Sequence, residues 1–241
     1  MLKHREIANW LNPARKGFKG DPFYIVPCPP SLVLPLGAEA AEDGAASIDL
    51  RLGTWFLSMH QTRTPLLEIS EPSELSRRLR TAAGALGLDE SARDVLKKHL
   101  IFHIRDGRLA RSYHVRFGED FILHPRSFVL GVTLEWLRLP SSLGGYVTGR
   151  SSWGRRGLVI ATAMGVHPGF TGCLTLELAN LGDVPISIRP GMTIGQLFLH
   201  KVDINGKDKS VDQSGFSCKR APQLGRPQPD EIARKLANAS L

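Results

Sequence analysis

Residues 172–180 read GCLTLELAN, and the spacing of their leucines decides how the chain is built. Leu174, Leu176 and Leu178 recur at every second position, so in an extended backbone they share one face while Thr175, Glu177 and Ala179 share the other. A helix would spread the same leucines around its circumference. The stretch therefore predicts a half-buried strand, with Glu177 its only acid, turned away from the core. Alone, that glutamate has two readings. It is a carboxylate on a solvated sheet face, or, in a cleft beside arginines, a poised general base.

The neighbouring sequence follows the same rule. FILHPRSFVLGVTLEWLRLP, GGYVTG, GLVIATAMG, VPISIRPG and TIGQLFLHKV are short apolar runs, separated by Gly, Pro and Asn-Leu-Gly-Asp turns at near-regular spacing. Such spacing predicts an all-β sandwich, jelly roll or barrel and not βαβ units. Upstream, ASIDLRLGTWFLSM alternates Ile48, Leu50 and Leu52 against Ser47, Asp49 and Arg51, the pattern of another half-buried strand. LKHREIANWL sets Leu2, Ile7, Trp10 and Leu11 on one side of a short helix that Asn12-Pro13 ends.

Residues 70–100 change character. Ser73 is a candidate N-cap, and DESARDVLKKHL carries acids early and lysines late, as a helix dipole favours. A small insert of two short helices is expected there. His99 and His103 stand one helical turn apart, but no glutamate follows His99 as an HExxH zinc motif requires, so they are read as surface or packing residues. The tail, about 205–241, is polar and Pro-rich and is read as an arm ending in a short helix. The whole of 1–241 is read as a single domain.

Composition narrows the class. A 42% hydrophobic chain of 241 residues can bury a core, and no apolar run approaches the roughly 20 residues that span a bilayer. His4, Arg5 and Glu6 fall where a signal peptide needs its apolar centre, so a cytoplasmic protein without membrane association is expected. Cys28, Cys173 and Cys218 are too scattered for a disulfide framework or a CxxC zinc site; reduced thiols are expected, with Cys173 buried in its strand. A net charge of +8 invites anionic partners without choosing among them.

Part of that charge lies in GRSSWGRRG, residues 149–157. Gly149, Gly154 and Gly157 would let backbone N–H groups approach an anion, Ser151 and Ser152 add hydroxyls, and Arg150 and Arg155 can fork onto phosphate. The stretch is not a Walker A loop, and Trp153 stands where a GxSxG elbow needs glycine.

GRSSWGRRGL, HPGFTGCLTLELAN and IRPGMTIGQLFLH, in this order, resemble the dCTP deaminase branch of the dCTP deaminase/dUTPase superfamily. The likeness extends upstream through FILHPRSFVLGVTLEWLRLPSSLGGYVTG and ASIDLRLG to LKHREIANWL, leaving out the 60–115 insert and the tail. The resemblance implies a distorted, mainly β jelly roll of dUTPase-like (β-clip) type with an N-terminal helix, assembled as a homotrimer with shared active sites. It implies hydrolytic deamination of dCTP to dUTP and ammonia, supplying dUTP as a dTTP precursor, with Mg2+ carried on the triphosphate and no zinc. Glu177 would be the general base; Ser151 and Arg155 would hold the water and polarise the base; Arg150 and Ser152 would hold phosphates. Thr175 and Leu176 would offer backbone contacts to the base edge, and Gln196 matches a polar family position.

Zinc-dependent nucleobase deaminases carry H-x-E and P-C-x-x-C, whereas Pro27-Cys28 here runs into Pro29-Pro30. Two positions depart from the family. His167 stands where an Asp usually precedes Pro-Gly, which argues against dUTP hydrolysis by the usual route; it either bonds a 3′-hydroxyl or caps a turn. The family's Tyr…Lys…Gln arm is missing, since no tyrosine follows Tyr146; Phe216, Lys219, Arg220 and Gln223 either take the closing role or form a loosely packed arm. The alternatives are a dUTP pyrophosphatase, a bifunctional deaminase forming dUMP, or a nucleotide- or nucleic-acid-binding protein without turnover; nucleic acid is not the expected partner.

Overall fold

The computed structural model describes residues 1–11, 21–29, 46–59, 110–161, 165–203 and 218–224, with isolated positions between 32 and 91. Its elements are α1 (His4–Leu11), β1 (Tyr24–Val26), β2 (Ser47–Arg51), β3 (Trp55–Met59), β4 (Ala110–His114), β5 (Phe121–Leu123), β6 (Phe128–Arg138) and β7 (Leu143–Gly149). A helical turn, α2 (Ser151–Gly154), precedes β8 (Leu158–Ile160), β9 (Gly165–Val166), β10 (Thr171–Asn180), β11 (Ile186–Ile188) and β12 (Thr193–Lys201).

The strands form a mainly β, jelly-roll type fold. One sheet runs β4-β3-β6-β10-β8, with β1 also paired to β6; a second runs β2-β12-β7-β9; β11 and β5 make a separate ribbon. The pairings of β1, β3 and β10 with β6, and of β2 and β7 with β12, are antiparallel. Period-two patterning explains why these segments pair as they do. β10 alternates half-buried and buried along its whole length, with Leu176 and Leu178 fully enclosed. Ile48, Leu50 and Leu52 from β2 and its continuation, Phe56 of β3, and Leu197 and Leu199 of β12 join them in one core. Ile7 of α1 is also fully buried, and the Leu2 amide donates to Leu199 O at 2.7 Å, tying the N-terminus to the second sheet.

Contacts divide the chain into two compact units, Met1–Ser58 with Ser112–Gln223, and Met59–Arg111 with Leu224–Leu241. The first holds the core just described. The two helices expected within 70–100, and the terminal helix of the arm, lie outside the described residues.

Residues 151–154, within the basic stretch, form a helical turn. Two local readings change. β1 and β4 were not anticipated: three residues beside a proline-rich run give no period, and ARSYH in β4 buries no residue fully. Cys173 lies in its strand but is half-buried, on the face of Thr175 and Glu177. The three thiols are free, as expected.

Candidate active site

The basic segment is built on the edge of the second sheet. The Arg150 amide donates to Ile194 O at 3.2 Å, and the Trp153 indole N–H donates to Thr193 O at 2.9 Å, so the chain leaving β7 is anchored at the start of β12. The Trp153 ring packs against the core, and the Arg156 guanidinium lies over it at 5.8 Å while donating to Ser152 O at 2.7 Å. Arg156 and Trp153 are thus structural parts of the turn. Ser151, Ser152 and Arg155 are exposed.

Of the three glycines, Gly157 has the clearest conformational need. Its φ is +88°, and a Cβ there would meet Gly182 N at 2.8 Å. The segment crosses the Asn180–Gly182 turn at this point, and Leu181 N–H donates to Gly157 O at 2.9 Å. Gly154 has open space around it, so a side chain there would meet no neighbour.

Arg150 has a protein partner that the sequence reading passed over. Its Nη1 donates to Asp49 Oδ2 at 3.0 Å, and Gln196 Nε2 donates to Asp49 Oδ1 at 3.3 Å and to Ser47 Oγ at 3.1 Å. Asp49, Gln196 and Thr148 stand side by side across β2, β12 and β7. The alternation of ASIDLRLG already put Asp49 on the outer face with Ser47. The missing signal was its neighbour across the sheet, which only register supplies. Arg150 and Asp49 are each about two-fifths exposed, so an incoming anion can reach the guanidinium.

β8 connects this region to Glu177. Its register sets Ile160 opposite Leu178 and Leu158 opposite Asn180, and Ala161 N–H donates to Glu177 O at 2.9 Å. Glu177 therefore sits three residues along β10 from the crossing, about 10 Å at strand rise. It is half-buried, opposite Leu130 of β6, which is itself buried. Thr175 shares its face, and Leu176 points into the core, so only its backbone is available to a ligand. Residues 162–164 lie outside the described residues.

His167 lies beyond the opposite end of β10. Its carbonyl accepts from Phe170 N–H at 3.2 Å, closing a turn with Pro168 and Gly169 (φ +78°), while the residue as a whole is exposed. The tail returns here as well. Cys218 N–H donates to Thr171 O at 2.6 Å, Cys173 N–H donates to Lys219 O at 3.0 Å, and Arg220 lies over the Trp136 ring at 5.4 Å. Gly172, at φ +138°, makes room: a Cβ would stand 3.2 Å from Cys218 N. This part of the arm is docked by backbone bonds, Gln223 is exposed, and Phe216 lies outside the described residues. Burial pushes the Cys173 thiol above its usual pKa; Arg220 opposes that rise and Glu135 adds to it.

A sheet face bearing the Glu177 carboxylate is thus joined through a short strand to a turn rich in Arg and Ser, a pairing of a potential base with cationic and hydroxyl donors. The dCTP deaminase-like family matches residues 35–202. The dCTP deaminase of Halorubrum lacusprofundi is 37% identical over 184 residues, 73% of this chain and 75% of that protein. Proteins named "dCTP deaminase, dUMP-forming" match over shorter stretches: that of Rhodococcus erythropolis at 46% identity over 43% of this chain and 56% of its own, and that of Mycobacterium ulcerans at 41% over 52% and 65%. Among solved structures, the 2′-deoxycytidine 5′-triphosphate deaminase of Agrobacterium tumefaciens aligns with a TM-score of 0.42 and 18% identity, over 68% of this chain and 41% of that one. The chain belongs to the dCTP deaminase-like family.

Proposed function

We propose that the protein deaminates a cytosine deoxynucleotide, dCTP, to dUTP and ammonia. The observation that carries this reading is Glu177, the one acid of β10, held on the face opposite the core in a chain of this family. Glu177 takes a proton from water, the hydroxide adds to C4 of cytosine, and the same carboxyl returns the proton to the departing amine. Ser151 and Arg155 steady the charge that develops on the ring, and Arg150 with Ser152 holds the phosphates. Gln196 supports this grip through Asp49, which it shares with Arg150. Mg2+ enters with the triphosphate as part of the substrate. We read the reaction as independent of a protein-held metal, since one carboxylate serves both proton transfers and the zinc motifs are absent from the sequence.

Shared sites in a homotrimer fit the placement of these groups. β9 pairs with β7 at Val166↔Gly145, so His167 and Arg150 are separated by about six residues of β7, about 20 Å of strand. One nucleotide does not span that length within one chain, which supports each serving a different site, completed by a neighbouring copy. No helix among the described residues is long and apolar enough to cross a membrane, and we place the activity in the cytoplasm with the free nucleotide pool.

The test is direct. Protein with Mg2+ and dCTP is expected to release ammonia, and Glu177→Gln is expected to lose at least about a hundredfold in kcat, the scale of a general base. Ammonia release undiminished in that variant refutes the role of Glu177. No ammonia from any cytosine nucleotide refutes the enzyme reading.

A second reading has its own support: two of the relatives above are named as forming dUMP. It requires pyrophosphate to appear with ammonia. His167, where an acid is usual, weighs against it. Pyrophosphate released by the wild-type chain decides for it.

A further inference from the structure

Glu135 of β6 is fully buried, and its carboxylate is committed to one residue. Oε2 accepts the Arg51 backbone N–H at 2.9 Å and Oε1 accepts Arg51 Nε–H at 2.7 Å. Arg51 Nη2 has no hydrogen-bond partner among the described residues, and Glu135 anchors both the backbone and the side chain of the last residue of β2. Glu135 sits in a bulge. Pairing between β6 and β10 jumps from Trp136↔Cys173 to Val132↔Thr175, so that three residues of β6, Thr133 to Glu135, oppose Leu174 alone. The buried Thr133 hydroxyl fills this irregularity, accepting Leu174 N–H at 2.9 Å and donating to Glu135 O at 2.8 Å.

A continuous path of short bonds follows. Asp49, the partner of Arg150, is two residues before Arg51. Arg51 is clamped by Glu135, whose carbonyl is bonded through Thr133 to the amide of Leu174, three residues before Glu177. The two ends of the path lie in different sheets. A buried ion pair is seldom more stabilising than apolar residues of the same volume, which turns attention to the geometry it enforces.

We propose that the Arg51–Glu135 pair is a positioning device that fixes β2, whose Asp49 bonds the phosphate-holding Arg150, relative to the strand of Glu177. Neither residue touches substrate. The inference rests on the proposed deaminase reading and assigns residues outside that reading's site.

The experiment compares Glu135→Gln with the apolar double variant Arg51→Met/Glu135→Leu, which removes both charges and so avoids leaving one buried alone. Misplaced reacting groups lower kcat while ligand contacts persist. The expected result for the double variant is a melting temperature close to wild type, kcat for Mg·dCTP reduced about tenfold or more, and KM changed by less than about threefold. A double variant with wild-type kcat, or with raised KM and unchanged kcat, overturns the proposal. If the double variant does not fold, the same split measured on Glu135→Gln decides.

Native-state amide exchange separates this inference from the functional reading. Glu135→Gln is expected to speed exchange at both Arg51 and Leu174 while Leu199, paired with β7, keeps its rate. Unchanged exchange at Leu174 overturns the proposed coupling even if wild-type protein proves inactive on every cytosine nucleotide, which by itself refutes only the deaminase reading.

Discussion

Replacing Asn180 by alanine tests how the end of β10 is held. The residue is fully buried, and its amide is used three times: Nδ2 donates to Leu123 O and to Val184 O, each at 2.9 Å, and Oδ1 accepts Gly182 N–H at 2.9 Å. Alanine leaves two carbonyls and one amide without that partner. Leu123 is 2% exposed, so its carbonyl bears the full cost of a buried unsatisfied group, about 1–3 kcal/mol. Val184 is exposed and Gly182 is partly so, and water replaces much of their loss, leaving about 0.5–1 kcal/mol each. The sum is about 2–5 kcal/mol, which at about 2–4 °C per kcal/mol lowers the melting temperature by around 10 °C. Asn180→Asp is expected to be worse, because two carbonyl oxygens would then face a carboxylate. Thermal unfolding followed by circular dichroism reads both. An alanine variant that melts within about 2 °C of wild type refutes the reasoning, since it would show that the turn satisfies those groups unaided.

Gly157→Ala is expected to destabilise by about 2–4 kcal/mol, combining a positive φ with a methyl 2.8 Å from the Gly182 nitrogen, and to raise KM for dCTP because the Ser151–Gly154 turn shifts with it. Trp153→Phe removes one donor to Thr193 O and is expected to cost about 1 kcal/mol in chemical denaturation, with Arg156 left over a smaller ring. Alkylation with iodoacetamide near pH 8 is expected to reach the exposed Cys218 before Cys173, because burial holds the Cys173 thiol protonated at that pH; mass spectrometry of peptides from a time course gives the order.

Much of the fold was legible because burial writes a period into sequence. β2, β10 and β12 carry leucines and isoleucines at near-alternate positions and β6 a continuous apolar run, and the strands form where those patterns lie. β4 was not legible, since its strand pairing comes from backbone bonds and not from a buried face. In the site, Glu177, Arg150 and Gln196 could be picked out as types of residue. The bonds joining Arg150, Asp49 and Gln196 could not, since they depend on β2 and β12 being neighbours in a particular register. The same holds for Glu135, which in TLEWLRLP resembles any acid in an amphipathic strand. Only the irregular pairing at Leu174 shows why it points inward.

The clamp at Arg51 also bears on how the chain acquires its structure. Its two residues are 84 positions apart, so the contact closes late relative to nearer pairings such as β8 with β10. A partly folded chain whose larger sheet has formed while β2 is still free encloses the Glu135 carboxylate without its counter-charge. That intermediate is penalised, as is one in which β2 docks out of register and turns Arg51 to the other face. Docking of the two sheets is thereby made all-or-none, and folding should proceed without a populated half-assembled state.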